Sequence, residues 1–169
     1  MTGAERRAQL KAQLSTSTSP ISATMFAKQF GVSRQTIVGD ISLLRANGVQ
    51  IVATLRGYQV EDSTSPTAVL VCRHFPNDTA DEMQRIIQAG GVIKDVAIEH
   101  PLYGQLRGEL EIGTLGDLKL FLARVQQHQG HLLSELTDGL HTHTIAYDTP
   151  TQLAAIKTSL KAAGYLYQS

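Results

Sequence analysis

Three segments of helical period closed by two short β-prone runs, and after them an alternation of strands and helices, predict an α+β protein. The expected order is an N-terminal winged helix-turn-helix over residues 1–62, then a ferredoxin-like βαββαβ(α) domain over residues 67–169. The stretch Asp62-Ser63-Thr64-Ser65-Pro66-Thr67 carries no hydrophobic side chain and marks the boundary. A length of 169 residues suits two small domains and leaves no room for a barrel enzyme, which needs about 250. With 42% hydrophobic and 18% charged residues, the composition excludes disordered and collagen-like classes. No apolar run is long enough to cross a bilayer, and the charged start MTGAERRAQLKAQ lacks a signal core. No membrane contact and a cytoplasmic location are therefore expected.

Each element of the first domain has a local cause. Residues 5–14 read as a first helix, and Ser22 is placed to cap a second that runs to Phe30, with Met25, Phe26 and Phe30 on one face. Gly31-Val32-Ser33 breaks the period. Ser33 can cap a third helix, Arg34–Ala46, whose Ile37, Ile41 and Leu44 recur at helical spacing, and Asn47-Gly48 ends it. The two β-prone runs of VQIVATLRGYQV, around Leu55-Arg56-Gly57, form a hairpin that serves as the wing.

In the second domain TAVLVCRH (67–74) reads as a strand and residues 81–89 as a helix stopped by Gly90-Gly91. Strands at 92–100 and 105–112 are joined by the turn Pro101-Leu102-Tyr103-Gly104. A helix at 115–127, a strand at 140–147 and a closing helix at 150–163, stopped by Gly164, complete the chain. The first six of these elements have the split βαβ order of a ferredoxin-like sandwich, with helices on one face of an antiparallel sheet.

Net charge is zero, 15 basic against 15 acidic residues, but it is unevenly shared. Residues 1–62 carry seven Lys/Arg against four acids and the remainder eight against eleven, which suits nucleic-acid binding by the first domain alone. A helix begun by a tight Gly-Val-Ser turn after another helix suits the major groove, because its N-terminal side chains project toward base edges. Arg34 can donate two hydrogen bonds to guanine and Gln35 can pair with adenine. Ser33 and Thr36 can reach phosphates, and Arg56 at the wing tip a neighbouring one. The bland alternative places Arg34 and Gln35 on a solvated helix face; their position at the start of the third helix favours DNA.

A single cysteine, Cys72, excludes an internal disulfide and Cys-Cys zinc knuckles, so a metal site is expected from histidine and carboxylate. His141 and His143, two apart in a strand, share one face. The fourth strand of the domain is expected antiparallel beside the first, which brings His74 to the same place, with Glu82 in the first turn of the following helix. Three imidazoles and a carboxylate suit one divalent transition metal per subunit: nickel, zinc or iron. Two bland readings compete. Thr79-x-x-Glu82 also fits a capping box, and His-x-His also fits a partly buried polar stripe. His128 and His131 read as exposed loop residues, and His100 is expected outside the cluster.

The segment FAKQFGVSRQTIVGDISLLRANGVQIVATLRGYQV resembles the helix-turn-helix module of many bacterial repressors and of biotin operon repressor-ligases. HPLYG (100–104), LTDGLHTHTI (136–145) and the segment 74–82 together resemble the 3H domain. With the winged-helix module in front, the chain resembles the niacin-responsive repressor (NiaR) family over nearly its whole length. That resemblance implies repression of NAD-synthesis and niacin-uptake genes, with nicotinic acid as co-repressor and metal at His74, Glu82, His141 and His143. Nicotinate offers a carboxylate and a pyridine nitrogen, both good metal donors, and Tyr103 and Thr144 are candidate polar neighbours of the ligand. A homodimer on a palindromic operator is expected, since one recognition helix covers only a half-site. Non-enzymatic regulation is favoured over a small metal-dependent enzyme fused to a DNA-binding module, because no separate base or nucleophile constellation is apparent. A metalloregulator that senses the metal itself is the remaining alternative.

Overall fold

In the computed structural model, which describes residues 1–61 and 64–167, the first helix starts earlier than its apolar period requires. Thr2 and Glu5 cause this by capping each other: the Glu5 amide donates to the Thr2 hydroxyl and the Thr2 amide to the Glu5 carboxylate. Helix α1 (Gly3–Thr16) is followed by α2 (Ala23–Phe30), α3 (Arg34–Ala46) and the strands β1 (Ile51–Thr54) and β2 (Gly57–Val60). Ser22 and Ser33 cap α2 and α3 as their positions predict, accepting from the amides of Met25 and Thr36. Leu10, Leu14, Phe26, Ile37, Ile41 and Leu44 form the core of this unit. Met25 is a correction. It is 62% exposed, because it lies one residue from Phe26 and so about 100° away around the helix.

Asp40 is buried on α3 and takes both Arg6 Nε, at 2.5 Å, and Arg7 Nη1, at 3.2 Å. Two of the seven N-terminal cations therefore tie α1 to α3. The hairpin is anchored by a backbone bridge between Ile21 and Tyr58, made by mutual N–H to carbonyl bonds. Only glycine fits at position 57: its φ is +139°, and a Cβ would stand 2.4 Å from the Ile21 carbonyl carbon.

The chain divides into two compact units, Met1–Asp62 and Ser63–Ser169. Asp62 and Ser63 of the expected boundary, and Gln168 and Ser169 at the expected end of the second domain, lie outside the described residues. The second unit runs β3 (Thr67–Arg73), α4 (Thr79–Gln88), β4 (Val92–His100), β5 (Gly104–Ile112), α5 (Leu115–Gln127), β6 (Leu140–Ala146) and α6 (Pro150–Ala162). Short 3-10 turns lie at Pro76–Asp78 and Leu133–Thr137. The expected α+β class, element succession and four-stranded antiparallel sheet are all present. Among the described residues no helix is long and apolar enough to cross a membrane.

The lateral strand order is β3-β6-β4-β5. A ferredoxin-like sandwich puts its first and third strands in the interior, whereas here β3 and β5 are the outer two and β4 and β6 the central pair. Element succession is the same in both arrangements, so the sequence does not distinguish them. The C-terminal segment does: Tyr165 and Tyr167 exchange backbone bonds with Arg73 and Val71, covering the outer edge that β3 presents only in this order. β6 keeps the predicted antiparallel place beside β3, with Cys72 opposite His141 and Leu70 opposite His143.

Candidate metal centre and nucleic-acid interface

On α4 the buried residues are Thr79, Glu82, Met83 and Ile86, one stripe at helical spacing with a carboxylate in its middle. Glu82 is 0% exposed. Its side chain turns into the domain: Oε2 lies 2.6 Å from His74 Nε2 and 2.9 Å from His141 Nε2, and Oε1 lies 2.9 Å from His143 Nε2. The structure thus brings together His74, Glu82, His141 and His143, all buried. It also overturns the capping-box reading of Glu82. Thr79 is the first residue of α4 and not its cap, Asp78 holds the cap position, and no side chain bonds there.

The other ring nitrogens fix the chemistry. His74 Nδ1 donates to the Phe75 carbonyl at 2.9 Å, His141 Nδ1 to that of Gly139 at 2.8 Å, and His143 Nδ1 to that of Asp95 at 2.7 Å. A carbonyl can only accept, so each neutral ring carries its proton on Nδ1 and aims an Nε2 lone pair at the Glu82 carboxylate. Lone pairs facing carboxylate oxygens at these distances require a positive charge between them, either protons on the rings or a cation. Burial works against a charged ring, yet Glu82 outweighs it and holds His74 and His143 above the ordinary imidazole range. Burial likewise works against the Glu82 carboxylate, but its bonds to His141, His143 and His74 hold it well below the usual range. Three imidazoles oriented by backbone acceptors around one carboxylate are a donor set that fits a divalent transition metal.

Two supports of this arrangement were not legible in the sequence. Cys72 lies on the same face of the sheet, and its sulfur, a Glu82 oxygen and a His141 nitrogen all lie within 4.8 Å of one another. The expectation that only histidine and carboxylate line the site is corrected accordingly. Burial, and next to it the charge of Glu82, push the thiol pKa far up, so without metal it stays protonated. The available signal was its two-residue spacing from His74. Asp95, buried beside a β-bulge between Ile93 and Ala97, turns its carbonyl to His143 while its carboxylate accepts from the Thr144 amide and from Arg107.

Beside the cluster lies a narrow cavity of about 30 Å³, walled by Val96, Leu110, Phe121, Leu132 and Leu133. The two proposed ligand neighbours are not in it. Tyr103 is exposed in the β4–β5 turn, stacked on His100, and Thr144 alternates to the sheet face opposite His143. His100 accepts from the amides of Leu102 and Tyr103 and so organises that turn. His128 and His131 are exposed, as expected.

In the first unit Arg34 and Gln35 are exposed at the start of α3, and Arg56 is exposed in the turn of the wing. The Ser33 hydroxyl is engaged in capping and lies 2.8 Å from that of Thr36. Arg45, by contrast, is turned back, donating to the Ile51 carbonyl and lying over the Tyr58 ring.

A winged helix-turn-helix joined to a domain with a buried histidine-carboxylate cluster defines the class: a DNA-binding regulator with a second domain. Comparison with known proteins gives the family: residues 6–59 match the HTH domain and residues 67–169 the 3H domain. The transcription repressor NadR of Bacillus subtilis is 38% identical over 97% of this chain and 94% of its own. The probable transcription repressor NiaR of Thermotoga maritima is 35% identical over 92% of this chain and 89% of its own. The chain belongs to this NadR/NiaR family of transcription repressors and is a regulator rather than an enzyme.

Proposed function

We propose that this protein is a metal-containing repressor with nicotinic acid as co-repressor, acting as a homodimer on a palindromic operator of NAD-synthesis and niacin-uptake genes in the cytoplasm. The observation that carries the reading is the convergence of three Nε2 lone pairs on Glu82 at the end of an apolar cavity. His74, Glu82, His141 and His143 hold one nickel, zinc or iron ion per subunit. A bound divalent ion supplies the positive charge these ligand atoms lack and an open position for a carboxylate or pyridine donor. The chain's own part is to hold the three rings in one tautomer, exclude bulk water, and line the approach to the metal with apolar walls. Sensing of the metal alone needs no such walls.

Ser33, Arg34, Gln35, Thr36 and Arg56 form the DNA contact, with Arg34 and Gln35 reading bases. The face of the sheet opposite the histidines exposes Val69, Val71 and Leu140, and a second copy covers it.

A co-repressor must bind the DNA-competent form more tightly, and by reciprocity operator DNA must raise nicotinate affinity by the same factor. Calorimetric titration of metal-loaded protein with nicotinic acid, with and without operator, is the test. Equal affinities would exclude co-repression, and absence of binding would leave a sensor of the metal itself.

A further inference from the structure

Cys72 of β3 stands directly opposite His141 of β6 in the antiparallel register, and both side chains are buried on the same face of the sheet. Residues opposed in this way have Cβ atoms about 4.5–5.5 Å apart. Glu82 reaches the pair from α4, and the Cys72 sulfur, a Glu82 oxygen and a His141 nitrogen all lie within 4.8 Å of one another. Three elements therefore deliver three different donor types to one place. Donor atoms on a tetrahedral ion, with bonds of about 2.0–2.3 Å, stand roughly 3.3–3.8 Å apart, so side-chain adjustments of about an ångström close the set.

Charge says what the sulfur is for. A divalent ion held by three neutral imidazoles and one carboxylate keeps a net positive charge where none of His74, Glu82, His141 and His143 is more than 8% exposed, and burying such a charge is expensive. A second anionic ligand removes it. Asp95 does not supply one, because its carboxylate accepts from the Thr144 amide and from Arg107. We infer that Cys72 is a fifth ligand of the metal centre, a thiolate that makes the buried site neutral and selects zinc and other sulfur-binding ions over manganese. This inference rests on the metal-containing reading above and adds a ligand to it. Cys72 takes no part in the wall of the cavity, so its ligation does not occupy that space. As the bond from Sγ to the metal forms, the S–H bond breaks and its proton passes to solvent.

Cobalt(II) is the probe, because a thiolate ligand gives it an intense near-ultraviolet charge-transfer band that imidazole and carboxylate ligands do not. Cys72 is the only cysteine of the chain, so in thiol-free buffer such a band has one source. The full chain and its Cys72→Ser and Cys72→Ala variants are titrated with cobalt, and separately with zinc and manganese. The parent should show the band. Both variants should lose it while keeping the weaker visible bands of a histidine-bound ion, and zinc affinity should fall at least about 10-fold with manganese affinity within a few-fold of the parent. A parent that binds cobalt without the band overturns the inference, leaves the histidine-carboxylate reading intact, and needs no variant to fold. A serine variant with parental zinc affinity overturns it too, since the hydroxyl replaces the thiol as a hydrogen-bond donor to Glu82 but not as an anionic ligand. A parent that binds no metal overturns both readings.

Discussion

Exchange of one oxygen for an NH2 group at Glu82 reverses the electrostatics of the buried cluster. In Glu82→Gln the amide can donate to Nε2 lone pairs that the carboxylate opposes, so the metal-free protein should stay folded. Metal affinity should fall by more than the roughly 10- to 100-fold that loss of an outer partner costs. Metal content by atomic absorption and melting by circular dichroism check both halves. Asp95→Ala tests such an outer partner. It leaves the carbonyl that holds His143 but removes the side-chain bonds to Thr144 and Arg107 that fix the bulge, and should lower metal affinity about 10- to 100-fold. An Asp95→Ala variant with parental affinity would show that the carbonyl alone sets the ring. At this scale the histidines were legible because a two-residue repeat in a strand fixes a shared face whatever the rest of the chain does. Asp95 was not legible, since its role depends on a bulge between two strands.

At the scale of elements, the turn before β6 is as important as the strand. Gly139 has φ +90°, a Cβ there would stand 2.2 Å from the His74 carbonyl oxygen, and its own carbonyl orients His141. Gly139→Ala should therefore lower the melting temperature and metal content together, whereas a change at an exposed residue of the same turn should lower neither. In the first unit the recognition helix and the wing make different predictions. Arg34→Ala or Gln35→Ala should cost about 1–3 kcal/mol of operator binding and relax base preference. Arg56→Ala should weaken all sequences alike and flatten the salt dependence by about one unit of slope. Binding at two salt concentrations on operator and unrelated DNA separates the two classes. Unaltered base preference in Arg34→Ala would remove α3 from the role of reader.

For the molecule as a whole, the excess of positive charge before residue 63 and of negative charge after it agrees with DNA binding by the first unit, which matches the HTH domain. Dimerisation through the open sheet face predicts a dimer at micromolar concentration by sedimentation, and a monomer once Val69 and Val71 are replaced by glutamate. Both residues are exposed, so the substitutions should leave the subunit folded and its metal content unchanged. A dimer that survives them uses another face.

The sequence by itself determined the elements and their order, because capping serines, glycine stops and apolar periods act over a few residues. It also determined which histidines share a face. Tertiary structure alone decided that β6 separates β3 from β4, that Cys72 joins the cluster, and that the Thr79 hydroxyl is left without a partner. Each of these depends on which distant segments become neighbours. That is settled by the burial of one sheet face together with the covering of its edges, here by the C-terminal segment pairing along β3, and not by any local pattern.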